Sequence, residues 1–291
     1  MRHKRIAVSE PSDTVARQFN MDLNTITEIT LPQSDDGAIE WREGDAWLAG
    51  GTWLFSEQQA HLRRLIDLQS LGWEPLRIGK DALEIAATCS IAELYAFQAP
   101  GPWTAASLID DCCRSFLSSF KIWNTATVGG NICMSLPAGP MISLASGLEG
   151  ICVIRALNGH ERRVAIEDFV TGNHQNILQP GDLLRRIDLP TAALSKRAAF
   201  RRMSLTHLGR SGALLIGTQG YDGVFMLSVS ASTERPVRLV FPQVPTARAL
   251  RTRIEREIPV FFDDVHGTPE YRKHMTLYLA EEIRLELADG R

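Results

Sequence analysis

A mixed α and β fold in more than one folding unit is predicted by three observations. At 291 residues the chain can bury a core larger than one small domain needs. Short β-branched or alternating apolar runs recur along it: residues 26–31, 46–49, 65–68, 83–87 and 151–156. Segments of helical period lie between them, and the last, after Thr268, carries one apolar stripe.

The elements follow in order. Residues 1–25 are polar, carry little periodicity and read as an N-terminal extension. Ile26-Thr27-Glu28-Ile29-Thr30-Leu31 alternates as a strand does and is broken by Pro32 to Gly37. A short helix is expected over Ala38 to Glu43, then a strand over Ala46 to Ala49. Leu54 to Arg64 reads as a helix and Leu65 to Leu68 as a strand. Leu76 to Ile78 and Leu83 to Ala87 pair around the turn Gly79-Lys80-Asp81. Ser90 and Glu93 have the spacing of a capping box.

Residues 104–119 read as an amphipathic helix, and Met141 to Leu148 as a buried helix begun at Pro140. Strands are expected over 151–156, 161–164 and 182–189. The basic connection 191–197 is the predicted domain boundary. Beyond it come a strand over Ala199 to Met203, a helix from about Arg210, and a hairpin of 223–229 with 237–240. The arginines at 248, 251, 253 and 256 read as a solvated helix face. The last helix has Thr268 at its N-cap, Pro269 next, the stripe Met275, Leu279, Ile283 and Leu287, and a stop at Gly290.

Composition narrows the function. The chain is 44% hydrophobic and 22% charged with a net charge of −3, so no global basic field recruits nucleic acid. No apolar run approaches the roughly 20 residues that span a bilayer. The basic Met1 to Arg5 leads into an apolar run too short for a signal-peptide core, so a cytoplasmic location is expected. The five cysteines, Cys89, Cys112, Cys113, Cys133 and Cys152, are odd in number and irregular in spacing. They suit neither a disulfide framework nor an iron–sulfur cluster, and read as small buried hydrophobes. The seven histidines are scattered and predict no metal site.

Two glycine pairs carry the functional signal. Trp47-Leu48-Ala49-Gly50-Gly51-Thr52-Trp53 and Ala126-Thr127-Val128-Gly129-Gly130-Asn131 each read as a strand-like run stopping at two residues without side chains. Such turns can bring bare backbone N–H groups against a pyrophosphate from two sides. Thr52 and Asn131 could add side-chain donors. Neither pair belongs to a G-x-G-x-x-G or P-loop motif. Trp53 and Trp123 flank the pairs and read as packing residues.

These residues resemble the flavin-binding subunit of the molybdenum hydroxylases, the group of xanthine dehydrogenase and carbon monoxide dehydrogenase. That family carries an A-G-G-T/H-[DS] loop and a T-[IV]-G-G-N loop after I-R-N-x-A. Here Ala49 to Trp53 and Ile122 to Asn131 are similar to them. Leu65 to Leu68, Ile85 to Leu94, Pro236 to Arg238 and Asp264 to Arg272 extend the resemblance across residues 26–290.

The resemblance implies an α+β fold: a two-lobed FAD-binding domain of the vanillyl-alcohol-oxidase (PCMH) type over 26–190, with lobes 26–72 and 73–190. A smaller C-terminal α/β domain over 197–291 follows. It implies non-covalent FAD held by Leu48, Ala49, Gly50, Gly51, Thr52, Trp53 and Leu54. Ala126, Thr127, Val128, Gly129, Gly130 and Asn131 form the second loop. Cys133, Met134, Leu184 and Arg201 are implied near the flavin ring. It implies an oxidoreductase subunit that passes electrons from [2Fe–2S] clusters through FAD to an acceptor. Molybdopterin and the clusters belong to a large and a small partner subunit, in a heterotrimer or its dimer, with no catalytic residue needed here.

Two positions depart from the family pattern: Trp53 follows the first pair, and Pro140 replaces a cofactor-holding Asp. Three readings therefore stand at this point: the flavin subunit, a stand-alone FAD-dependent oxidoreductase of the same fold, and a cofactor-free scaffold subunit.

Overall fold

The computed structural model describes residues 24–34 and 39–289. All but the last two residues of the expected N-terminal extension lie outside the described residues, as does the expected stop at Gly290. The first unit is a small parallel sheet of β1 (Glu28–Thr30), β2 (Asp45–Leu48) and β3 (Arg64–Asp67), in the order β1-β3-β2. Asp45 clamps Arg64 with both oxygens, at 2.9 and 2.5 Å, and Arg64 holds the carboxyl below its ordinary range. Both side chains are almost closed to solvent, so the pair fixes where β2 starts relative to β3 and hence where the first glycine pair emerges.

The next segments are β4 (Leu76–Ile78) and β5 (Ala82–Ala86), antiparallel as expected. Five helices follow: α1 (Ile91–Tyr95), α2 (Ser107–Ser115), α3 (Phe120–Trp123), α4 (Val128–Cys133) and α5 (Pro140–Gly147). Ser90 and Glu93 complete the predicted capping box of α1, each satisfying the other's backbone N–H. Every residue of α5 is buried, with Pro140 in its first turn, where a missing N–H costs nothing.

The chain then returns through β6 (Ile151–Arg155), β7 (Glu161–Ala165) and α6 (Ile166–Phe169). The tight hairpin of β8 (Val170–Gly172) and β9 (Gln175–Asn176) precedes β10 (Leu183–Pro190). Strands β4, β5, β10, β6 and β7 make one antiparallel sheet in that order. A short helix, α7 (Thr191–Leu194), leads out of it.

A second antiparallel sheet holds β11 (Arg197–Met203), β12 (Ala213–Gln219), β13 (Phe225–Ser230) and β14 (Val237–Phe241), in sequential order. Helices α8 (Ala247–Glu257) and α9 (Pro269–Ala288) close the chain. Leu279, Ile283 and Leu287 of the predicted stripe are buried, each worth about 1.5–3 kcal/mol, and Met275 packs at their edge. Helix α5 packs on the sheet too. Ser143 and Ser146 of α5 bond Ser230 and Ser228 of β13, both at 2.7 Å, across this contact.

Several expectations need correction. Residues 39–43 are not helical, and residues 54–63 form turns rather than a helix. There Gly51, at φ +68°, bends the chain, and its carbonyl accepts from the Phe55 N–H at 2.9 Å. The segment after Arg210 is strand β12, not a helix. That strand is central in its sheet and lies against both α5 and α9, so its apolar run is continuous. Periodicity cannot separate such a run from a buried helix. Residues 104–119 split into a short 3-10 turn and α2, which ends at Ser115. The second glycine pair does not end a strand: it occupies the first turns of α4.

Candidate functional site

The two glycine pairs meet. A β-carbon at Gly50 would lie 1.8 Å from the carbonyl oxygen of Thr125, so the two segments are in backbone contact. A cleft of about 480 Å³ opens beside this contact, a size that suits a cofactor or other small molecule. All of Leu48 to Leu54 line it, with Ala126, Thr127, Gly130, Asn131, Cys133 and Met134 opposite.

Each glycine of a pair has its own structural reason. Gly50 allows the close approach to Thr125, and Gly51 takes the left-handed φ that turns the chain. Gly129 packs on β5, where a β-carbon would lie 2.4 Å from the Ala87 β-carbon. Gly130 instead lines the cleft, and its β-carbon would meet only the hydroxyl of Thr127, at 2.9 Å.

Backbone donors differ sharply between the loops. The N–H groups of Gly50, Gly51, Thr52, Trp53 and Leu54 have no hydrogen-bond partner among the described residues. Successive free N–H groups beside a cleft are a ready anion-binding surface. The N–H groups of the second loop are already used. Val128 and Gly129 donate to the carbonyls of Cys89 and Ala87, at 2.8 and 3.0 Å. Gly130 donates to the Thr127 hydroxyl, which caps α4, and Asn131 to the Thr127 carbonyl. The expected donation from two sides thus reduces to one side.

What the second loop offers instead is the Asn131 side chain. Its Oδ1 accepts from the Met141 N–H at 3.1 Å, capping the start of α5. That contact leaves the amide NH₂ as a donor beside the cleft. Pro140, next to Met141, removes a carboxylate from this neighbourhood, and the lining holds no Asp or Glu at all. Arg210 is the cation of the lining and has no partner among the described residues. The rest of the wall is mainly apolar, with Trp53, Leu54, Phe116, Ile122, Met134 and Leu136, and Ser118 adds a hydroxyl.

Cys133 and Met134 are held from behind by the β8–β9 hairpin. The Asn176 amide donates to the Cys133 carbonyl at 2.8 Å, and His174, whose ring lies 5.4 Å from that of Trp53, donates its backbone N–H to the Ser135 carbonyl. Burial pushes the Cys133 thiol up to about 12, so it stays neutral and unreactive. The other four cysteines are buried and free. Trp123 packs edge-on against Tyr95 and donates its indole N–H to the Phe116 carbonyl, a packing role as expected.

Four expected site residues lie elsewhere. Val128 and Gly129 are buried in the first turn of α4. Leu184 sits in the core, 2% exposed, beside a bulge in β10. Arg201 points to α9, bonding Glu286 at 2.6 Å and Glu282 at 3.2 Å. The basic residue that reaches the cleft is Arg210, which the sequence reading placed at the start of a helix. No signal in the sequence marks it: residues 204–209 lead from a strand to what reads as a helix.

Residues 26–192 match the family described as the FAD binding domain in molybdopterin dehydrogenase. The caffeine dehydrogenase subunit beta of Pseudomonas sp. (strain CBB1) is 25% identical over 227 residues, 73% of this chain and 74% of that subunit. Among solved structures, the chain is similar to quinoline 2-oxidoreductase from Pseudomonas putida 86, with a TM-score of 0.76 and 17% identity over 93% of this chain and 99% of that one. It is also similar to carbon monoxide dehydrogenase from Oligotropha carboxidovorans, with a TM-score of 0.75 and 19% identity over 89% and 98% of the two chains. At those identities the structural likeness is one of fold.

Proposed function

The chain belongs to the family of FAD-binding domains of molybdopterin dehydrogenases, and on that premise we propose that it relays electrons between a partner's iron–sulfur clusters and an acceptor, through FAD held in the cleft described above. The carrying observation is the run of five unpartnered N–H groups from Gly50 to Leu54 on a cleft without carboxylates. A pyrophosphate is held by N–H donors and is repelled by carboxylates that share its space. Gly50 to Leu54 would hold the pyrophosphate, with Arg210 and the Asn131 amide adding side-chain donors. The apolar residues Trp53, Leu54, Phe116, Met134 and Leu136 suit flat aromatic rings.

FAD, when bound, accepts and releases the electrons; this chain supplies binding, orientation and the electrostatic setting. The donors of the first loop are fixed by Gly51 and by the Asp45–Arg64 clamp behind β2. The wall from Cys133 to Leu136 excludes water from one side. No residue here needs to act as a general acid or base.

The relatives' names point to three different substrates, caffeine, quinoline and carbon monoxide. This supports a division of labour in which the hydroxylated substrate is chosen by a molybdenum-bearing partner subunit. Among the described residues no cluster of side chains could hold a metal, and no helix is long and apolar enough to cross a membrane. We infer a large molybdopterin subunit and a small [2Fe–2S] subunit as partners.

The test is purification of the chain with its co-expressed partners, followed by release and identification of the flavin. One FAD per chain, together with molybdenum and iron in the other chains, is the expected result. A chain that stays colourless after incubation with FAD would sink the reading.

A further inference from the structure

We propose that Arg272 of α9, a helix none of whose residues lines the cleft, is the positioning residue for the cleft's Arg210 wall, so that FAD affinity depends on it. The proposal rests on the reading that the cleft takes FAD. Arg272 is 1% exposed, the largest fully buried side chain of the protein's described residues. Its guanidinium spans four segments. It donates to the Gly267 carbonyl at 2.9 Å, to the Gly212 carbonyl at 2.9 Å, to the Ala231 carbonyl, and to the Asp264 carboxylate.

Two of those partners lead to the cleft. Gly212 lies two residues after Arg210 and closes the β11–β12 loop, its N–H donating to the Met203 carbonyl at 2.8 Å. The contact is tight: a β-carbon at Gly212 would lie 3.1 Å from the His266 carbonyl and 3.2 Å from the Tyr271 ring. Ala231 is held at φ +64°, a left-handed conformation that a non-glycine residue adopts at a cost. Its carbonyl is bound by Arg272, and its N–H donates to the Pro137 carbonyl at 2.8 Å. Pro137 adjoins Leu136, which lines the cleft. One guanidinium nitrogen, Nη1, therefore ties the loop that presents Arg210 to the segment that carries Leu136, and Nε and Nη2 fix that nitrogen in place through Gly267 and Asp264. A lysine has neither the Nε nor the Nη2 anchor, so its ammonium, on a flexible stem, is not fixed between the two carbonyls.

Arg210 and Arg272 do not touch, so a coupling between them reports the connection through Gly212 and Ala231. The experiment is FAD titration of the full-length chain as wild type, Arg210→Gln, Arg272→Lys and the double variant. Each titration runs well below that variant's melting temperature. We expect each single variant to weaken FAD binding about tenfold and the double variant no more than about threefold further. A double variant about a hundredfold weaker, the product of two independent effects, overturns the proposal. So does an Arg272→Lys chain that melts lower yet binds FAD as the wild type does, since that is a purely structural role. An Arg210→Gln chain with unchanged affinity sinks the placement of FAD in this cleft, and the proposal with it. Should Arg272→Lys fail to fold, Asp264→Asn replaces it: the guanidinium stays and only its counter-charge goes. It is expected to weaken FAD about fivefold and to be non-additive with Arg210→Gln; additivity there counts against the proposal equally.

Discussion

Gly50 and Thr125 are in backbone contact: no β-carbon fits at position 50, because the Thr125 carbonyl oxygen would lie 1.8 Å from it and the Ala126 α-carbon 3.3 Å. The first loop thus leans on the segment that leads into α4. Changing Gly50 to Ala must push the two apart. The expected cost is about 1–3 kcal/mol in urea-induced unfolding, the range for overpacking a closed contact. Because the displaced loop carries the free N–H groups, flavin content at purification should fall as well. Unchanged stability together with full flavin content would show that the segments do not touch in solution.

The second pair separates folding from binding. Gly129→Ala forces a β-carbon of α4 to within 2.4 Å of the Ala87 β-carbon and 2.7 Å of its backbone, and should destabilise by about 2 kcal/mol or more. Gly130→Ala meets only the Thr127 hydroxyl, a helix cap, so its folding cost should stay at about 1 kcal/mol or less. Yet Gly130 lines the cleft, and its variants should lose FAD affinity, Val more than Ala. Urea midpoints set against flavin titrations test this. Equal stability losses at the two positions would contradict the assignment of Gly129 to packing and Gly130 to the cleft.

Local signals account for what was legible. The Ser90–Glu93 box, the Thr268–Pro269 start and the β4–β5 hairpin are short-range features, and each appears as read. The first glycine pair was also legible, since it follows a strand and turns at once. What failed depends on tertiary surroundings. Strand β12 is covered on both faces, which erases its period. The N–H groups of Val128 and Gly129 are consumed by Cys89 and Ala87, about forty residues earlier in the chain, and no local pattern announces that. The loop that carries Arg210 is bonded by distant residues, by Arg202 through Ser211 at 2.7 Å and the Gly209 carbonyl and by Arg272 through the Gly212 carbonyl. Arg201, one residue away on β11, is turned to α9 instead. Alternation along a strand separates the two.

Asn131 allows a cleaner test of the cleft. Its Oδ1 caps α5 through Met141, and its NH₂ is left for the cleft. Asn131→Asp keeps the cap, and a carboxylate is at least as good there. It removes the donor and places a negative charge on a lining otherwise without carboxylates. The variant should melt within about 1 °C of the wild type, a change of about 0.6 kcal/mol or less. Its FAD affinity should fall about tenfold or more. Asn131→Ala should lose affinity less and stability more. Full FAD affinity in both variants, with only Asn131→Ala losing stability, would assign Asn131 to the α5 cap alone.

A buried carboxylate between α5 and the second sheet sets a pH dependence of stability. Glu167 accepts from the Ser146 hydroxyl at 2.8 Å, and that hydroxyl is itself bonded by Ser228. Its other oxygen has Arg238 at 3.5 Å and no hydrogen bond. Burial pushes the carboxyl above its ordinary value; the Arg238 charge and the Ser146 bond oppose this, while Asp168 reinforces it. A raised carboxyl pKa means that the folded state favours the protonated form. Its contribution to stability is therefore fully present below the pKa of an unfolded glutamate, about 4.3, and is lost as the pH rises through the folded value. Glu167→Gln stays neutral throughout. Its melting temperature relative to the wild type should climb as the pH is raised from 4 to 8, with the two nearly equal at the acid end. The Cys152 thiol, also coupled to Glu167, is itself pushed up by burial and stays neutral over that range, so it adds no slope. A difference that stays constant from pH 4 to 8 would show that Glu167 ionises in the folded protein as it does in the unfolded chain.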